Sequence, residues 1–306
     1  MSQAAGPQKI SGDALPVFTR ILLVTDFSAC SEAAVPFARL LSECYSGSIT
    51  VAHVMLADQD TSSNEAVVGT MDEVAELADL QMRRFLRGNS LVDTESVITT
   101  GPLGDAVARL VQQEGFDIVV VGTHGRSGVG KLLLGSAAQR IFNVSPCPVL
   151  SVSTKARKSW GVQRKLRKVL YATDLSEFAL EALPYALSLA KATDAELLLV
   201  NVPNPSEPIR QHGAINKKLA ELLPPAARSW CHFETLVGLV HGEGEDSIVD
   251  DPAAVIVRVA IEYAADLIVI GAKRVAPGLL YRINVPLSTA YQVLAHAPCP
   301  VLRVRS

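Results

Sequence analysis

The chain has 306 residues, 49% of them hydrophobic and 19% charged, with a net charge of −3 at neutral pH. That length accommodates two domains of ordinary size, and the composition is that of a soluble globular chain. The charge excludes a basic nucleic-acid footprint, and no apolar run approaches the roughly 18 residues a membrane helix needs, so neither nucleic acid nor membrane is expected as a partner and the expected location is cytoplasmic.

Met1 to Gly12 is polar and lacks the apolar core of a signal peptide, so residues 1–17 read as an extended or disordered tail. The first half then alternates apolar runs with helical patterns. Strands are expected near 20–25, 48–55, 91–99, 117–122 and 148–153, and helices near 29–45, 64–88, 103–114 and 136–144. A basic run from Thr154 to Lys168 reads as a solvated connector, with the linker set at 154–166. The second half repeats the alternation. Its strands are expected near 167–173, 195–202, 230–239, 266–271 and 300–305, and its helices near 177–192, 212–223, 252–264 and 287–296.

The repetition extends to spelling. Ile21-Leu-Leu-Val-Thr-Asp-Phe-Ser28 aligns with Val169-Leu-Tyr-Ala-Thr-Asp-Leu-Ser176, and the same offset pairs Pro36 with Pro184. Phe116-Asp-Ile-Val-Val-Val-Gly122 aligns with Ala265-Asp-Leu-Ile-Val-Ile-Gly271, and Pro146-Cys-Pro-Val-Leu150 with Pro298-Cys-Pro-Val-Leu302. Separated matches in one order mean duplication. The expected fold class is α/β, with two tandem doubly wound parallel sheets covered on both faces, residues 18–153 and 167–306. The five cysteines, Cys30, Cys44, Cys147, Cys231 and Cys299, are odd in number and form no C-x-x-C pair. They read as reduced, mostly buried thiols.

Chemistry concentrates in one stretch, Gly122-Thr-His-Gly125-Arg-Ser-Gly128-Val-Gly130-Lys131-Leu-Leu-Leu-Gly135-Ser136. It follows a buried-strand pattern and precedes a short helix. Glycine lets backbone approach an anion, and a helix start offers unpaired N–H groups and a positive dipole end. The stretch therefore reads as a phosphate cradle. Gly125 to Lys131 also spells the start of a P-loop, but Leu132 stands where Mg²⁺ would require Ser or Thr, and that reading is rejected. Asp26 can accept hydrogen bonds from an amine or hydroxyl, and with Ser28 it can also cap the following helix.

Two residues separate Gly122 from Gly125 and nine separate Gly125 from Gly135, with Ser136 next. That spacing, with Val24-Thr25-Asp26-Phe27-Ser28 upstream, resembles the nucleotide-binding signature of the universal stress protein family. The resemblance runs over about 18–153 and again over 165–305. It implies a five-stranded, HUP-like, Rossmann-like sheet of order 3-2-1-4-5, with ligand at the reversal of strand order between the first and fourth strands. It also implies a nucleotide-binding set in the first half. Thr25, Asp26 and Val54 would stand on the base side, with Gly122 near the ribose. Gly125 would turn over the phosphates, flanked by His124 and Arg126. Gly135, Ser136, Ala137 and Ala138 would open the last helix with amides facing phosphate oxygens. The implied ligand is ATP, ADP or AMP.

The second half departs from the motif. Gly271 stays, but Arg274 replaces the second glycine and Leu287-Ser288 stands where Gly135-Ser136 stood, so one competent and one degenerate site are expected. The acidic loop Val240 to Asp246 matches no established metal-ligand spacing and reads as solvated. No catalytic triad or carboxylate pair is legible, and no catalytic or metal residue is assigned. The expected function is a stress-response protein that binds nucleotide and regulates an unidentified protein partner. A slow Mg²⁺-dependent ATPase and a nucleotide-independent scaffold are the alternatives. The last strand of each half is an expected sheet edge. In the family such edges pair across a two-fold, so an intrachain pseudo-dimer is expected, with room for a homodimer.

Overall fold

The computed structural model describes residues 15–55, 71–123, 136–154, 165–203, 212–238, 251–272 and 288–305. The chain divides into two compact units, Phe18–Arg164 and Lys165–Ser306, and the second also takes in Met1–Val17.

In the first unit the strands are β1 (Arg20–Val24), β2 (Ser48–Met55), β3 (Glu95–Thr100), β4 (Ile118–Gly122) and β5 (Val149–Val152). Helices α1 (Ala29–Tyr45), α2 (Met71–Gly88), α3 (Leu103–Glu114) and α4 (Ser136–Val144) alternate with them. The sheet order is β3-β2-β1-β4-β5, with neighbouring strands parallel. This is the 3-2-1-4-5 order, and it reverses between β1 and β4, where Val24 lies opposite Val121. Strands β1 and β4 form the centre because both faces are covered: Ile21, Leu22, Leu23, Val119 and Val120 are fully buried. Burying each such side chain contributes about 1.5–3 kcal/mol.

The second unit repeats the plan with β6 (Lys168–Ala172), β7 (Glu196–Asn201), β8 (Phe233–Val237), β9 (Leu267–Ala272) and β10 (Val301–Arg305). Its helices are α5 (Glu177–Leu180), α6 (Leu183–Thr193), α7 (His212–Leu222), α8 (Pro225–Arg228), α9 (Pro252–Glu262) and α10 (Thr289–His296). Its order, β8-β7-β6-β9-β10, is the same 3-2-1-4-5 arrangement.

One carboxylate fastens each sheet at the start of its first strand. Asp117 Oδ2 accepts from the Thr19 amide at 2.8 Å, the Thr19 hydroxyl at 2.9 Å and the Arg20 amide at 2.9 Å. Asp266 Oδ2 accepts from the Arg167 and Lys168 amides at 2.8 and 3.1 Å. The aspartate in the repeated Phe-Asp and Ala-Asp steps therefore serves the fold.

Besides the short helix α8, which falls outside every expected helix, the elements differ from the sequence expectations in three places. Strand β3 starts at Glu95 rather than near 91, because Ser90 turns in the left-handed region at φ 54° and the Thr94 amide bonds back to the Leu91 carbonyl. Strand β8 is likewise shorter than the expected 230–239, spanning Phe233–Val237. The single helix expected over 177–192 is two, α5 and α6. Pro184 sits at the start of α6 and cannot donate to the Leu180 carbonyl. Proline alone does not explain the break, since α1 runs unbroken through Pro36 at the equivalent place. The halves also differ underneath: Tyr171 stands where the first half has Leu23, and its hydroxyl donates to the Ala179 carbonyl at 2.9 Å. The Ala182 amide closes a tighter turn onto that same carbonyl at 3.1 Å, and the regular helix stops there.

None of the five cysteines is in a disulfide. Burial pushes the Cys147 and Cys231 thiols up to about 11, and pushes Cys299 up as well. Among the described residues no helix is long and apolar enough to cross a membrane.

Candidate functional site

The candidate site lies at the carboxyl ends of β1, β2 and β4. Strand β1 ends at Val24, and the Thr25 amide makes one more sheet bond, to the Ala52 carbonyl at 2.9 Å. The chain then turns sharply. Phe27 adopts φ 61°, a left-handed conformation that a non-glycine residue takes at a cost of about 1–2 kcal/mol. Short hydrogen bonds offset that cost. The Phe27 amide donates to Thr25 Oγ1 at 2.9 Å, and the Ser28 amide donates to Asp26 Oδ1 at 3.0 Å. Ser28 Oγ donates to the same oxygen at 2.5 Å and accepts from the Ser31 amide at 3.4 Å. Buried Thr25 donates its own hydroxyl hydrogen bond to Ser31 Oγ at 3.0 Å.

Ser28 is thus the N-cap of α1, and Asp26 is held half-buried by the capping serine. Both hydrogen bonds to Asp26 fall on Oδ1, and Oδ2 takes part in neither. Val54, near the end of β2, is 7% exposed. Residues alternate in facing along a strand, so His53 points to the opposite side of the sheet from Val54. His53 Nδ1 lies 2.8 Å from the Thr25 carbonyl.

Gly122 ends β4 beside β1, and its lack of a side chain has a packing cause. A Cβ there would sit 2.5 Å from both the carbonyl carbon and the oxygen of Cys30, and 2.8 Å from the Ser31 amide. The first turn of α1 rests on the bare strand end. Thr123 follows, buried, with its amide on the Val152 carbonyl at 2.9 Å. His124, Gly125, Arg126 and Gly135 lie outside the described residues, as do Lys131, Arg274, Leu287 and the loop from Val240 to Asp246. Ser136 and Ala137 are the first two residues of α4, and Ala138 is fully buried. The structure therefore brings Thr25, Asp26, Val54 and Gly122 to one end of one sheet. Among the described residues no group of acidic, histidine and cysteine side chains could hold a metal ion.

In the sequence His53, a lone histidine at a strand end, reads as structural and not as a catalytic base, and it does hold the loop; Ser31, which also holds it, has no role in that reading. A signal for His53 was present in the repeat, where Ala52-His53-Val54 aligns with Val200-Asn201-Val202. At the opposite end of the strands, Arg39, Ser42, Glu43, Ile49, Ser90, Leu91 and Thr94 line an open groove of about 310 Å³. Arg39 there donates to the Asn89 and Ser90 carbonyls at 2.5 and 2.6 Å, which ties α1 to the turn after α2.

Known proteins share this plan. The model of the Universal stress protein family matches twice, over residues 18–153 and 165–305. The chain belongs to the universal stress protein family. It is a tandem member, since each match spans a whole unit of sheet and helices. A universal stress protein of Thermus aquaticus is 25% identical over 136 residues, 44% of this chain and 99% of that protein. The YxiE universal stress protein of Bacillus subtilis is 26% identical over 147 residues, again 44% of this chain and 99% of its relative. Each of these relatives is thus the length of one half. Among solved structures, a universal stress protein from Archaeoglobus fulgidus superposes with a TM-score of 0.68 at 18% identity, covering 94% of this chain and 98% of that one. A putative universal stress protein from Pseudomonas aeruginosa gives 0.56 at 18% identity, with 94% and 93% covered. These likenesses establish the fold across both halves.

Proposed function

We propose that this tandem universal stress protein binds an adenine nucleotide, ATP or its products ADP or AMP, in its first half and acts as a nucleotide-dependent regulator. The observation that carries the reading is Asp26. Its carboxylate is oriented through Oδ1 at the reversal of strand order, where doubly wound sheets take their ligands. Oδ2 would accept from an exocyclic amine or a ribose hydroxyl, while Val54 and the Thr25 backbone flank the base. The glycine spacing from Gly122 to Gly135 supports a phosphate loop. The opening amides of α4, at Ser136, Ala137 and Ala138, would face phosphate oxygens, with His124 and Arg126 beside them. Ala138 has its methyl group buried, so only its backbone is offered to a ligand. Binding would alter partner choice through unequal affinity for two conformations.

Mass spectrometry of ligand released from the native protein, with calorimetric titration of ATP, ADP and AMP, tests the reading. The expected result is one adenine nucleotide per chain, lost in Gly135→Leu. No binding by any of the three, or binding that Gly135→Leu leaves intact, overturns it. The assembly expectation belongs to the same proposal. Strands β5 and β10 each end the order of their own unit, and sheet ends recruit partners. Light scattering with and without ATP counts the copies.

A further inference from the structure

Two side chains at equivalent places in the repeat bind the same backbone atom with different chemistry. In the first half His53 Nδ1 lies 2.8 Å from the Thr25 carbonyl; in the second, Asn201 Nδ2 donates to the Thr173 carbonyl at 2.9 Å. His53 and Asn201 stand at the same offset of 148 residues as the aligned strands before them. A carbonyl oxygen only accepts, so His53 must carry its proton on Nδ1. Each acceptor belongs to the first residue past a central strand. Two residues on, Phe27 and Leu175 turn at φ 61° and 63°, and each donates its amide back to the threonine hydroxyl, at 2.9 and 3.0 Å. The second strand therefore anchors the residue from which the left-handed turn is hung, in both halves.

His53 does more than Asn201. Its ring lies 4.3 Å from the Phe27 ring at 32°, and Phe27 meets Phe85 edge-on at 6.0 Å. One imidazole thus holds Thr25 by hydrogen bond and Phe27 by ring contact, the two neighbours of Asp26. In the second half Leu175 takes the place of Phe27, and Asp174 is exposed where Asp26 is half-buried. We propose that His53 is a positioning residue for nucleotide recognition, clamping Thr25 and Phe27 so that the Asp26 carboxylate keeps one direction. This rests on the nucleotide reading of the first half, and the test separates the two.

Four variants of the full chain decide it: His53→Asn, His53→Leu, His53→Phe and Asn201→Leu. Two readouts apply, calorimetric affinity for ATP and hydrogen exchange of the Phe27 and Ser28 amides without ligand. Losing the donor should weaken ATP binding about tenfold in His53→Leu and speed exchange at both amides, the scale of one lost hydrogen bond. His53→Asn copies the second half, and should stay within about threefold of wild type with protection kept. Asn201→Leu should leave ATP affinity unchanged. His53→Phe keeps a ring beside Phe27 and removes the donor, and it replaces His53→Leu if that variant fails to fold. Wild-type affinity and wild-type protection in the donor-free variant overturn the clamp. So does equal weakening in His53→Asn and His53→Leu. If wild type takes up no ATP, the nucleotide reading falls on its own; unchanged exchange in the donor-free variant would then still refute the clamp, and faster exchange would uphold its hold on the loop.

Discussion

After β1, the chain from Thr25 to Ser28 makes a left-handed turn, hands its serine to the next helix as a cap, and is anchored from the neighbouring strand. After β6, Thr173 to Ser176 repeat every one of those steps, with Ser176 accepting from the Ala179 amide at 3.3 Å. The two strand-end glycines match as well. A Cβ on Gly271 would sit 2.5 Å from the Phe178 carbonyl oxygen, as one on Gly122 would from that of Cys30. The halves diverge in what surrounds the turn: Tyr171 for Leu23, a broken helix for a continuous one, and an exposed Asp174 for a half-buried Asp26. Features shared by an intact and a degenerate motif are those the sheet itself needs. By that standard the retained Gly271 reports on packing, and under the proposed nucleotide reading the differences, with Arg274 and Leu287 in the sequence, are where a ligand would tell the halves apart.

The largest expected effect breaks or keeps that division. Gly122→Ala and Gly271→Ala should each destabilise their own unit by about 3 kcal/mol, because helix backbone cannot move aside as a side chain can. Urea unfolding followed unit by unit measures this, and a harmless Gly271→Ala would return the glycine to ligand duty. Next come the caps. Ser28→Ala and Ser176→Ala should each cost about 1 kcal/mol. Ser28→Ala should also weaken ATP binding, since Ser28 Oγ donates to Asp26. Thermal melts with and without ATP separate the two effects. Tyr171→Phe should cost about 1 kcal/mol by removing the hydroxyl bond to Ala179. If the hydroxyl breaks the helix, the variant should show slower amide exchange around Leu183, which a crystal structure would corroborate.

The effect that is smallest at neutral pH, and grows only in alkali, is a pH dependence. Burial raises the Cys147 thiol to about 11 in the folded protein, against about 8.5 when unfolded. The folded state binds that proton more tightly, so its contribution is whole below about pH 8.5 and declines as pH rises toward 11. Cys147→Ala should flatten the fall in stability over that window in denaturant titrations.

Much of the fold was legible because strands buried on both faces spell themselves out as Ile21-Leu-Leu-Val24 or Ile118-Val-Val-Val121, and because the repeat let each half vouch for the other. Helix α1 matched its expected span, since Ser28 caps it and Ser46 ends it in the left-handed region at φ 51°. The break between α5 and α6 was not legible. It coincides with a tyrosine eight residues away in sequence reaching a helix carbonyl, a contact that no periodicity encodes. At the site, Asp26 stood out by type and position, but its orientation through Ser28 is a matter of geometry. His53 read as an ordinary histidine at a strand end, and only the carbonyl beneath it reveals its use. The family resemblance implies Gly122 as a ribose neighbour, and the close approach of Cys30 and Ser31 supplies a packing reason for the same glycine.

The carboxylate of Asp117 grips amides 98 and 97 residues earlier, and Asp266 does the same across 99 and 98. A growing chain on the ribosome cannot secure its opening strand until the fourth strand of the unit begins to emerge. Each unit therefore has a late closing step, set by the slow joining of distant segments. The amino-terminal sheet can complete its closure while its twin is still being synthesised, an order that favours pairing within each unit.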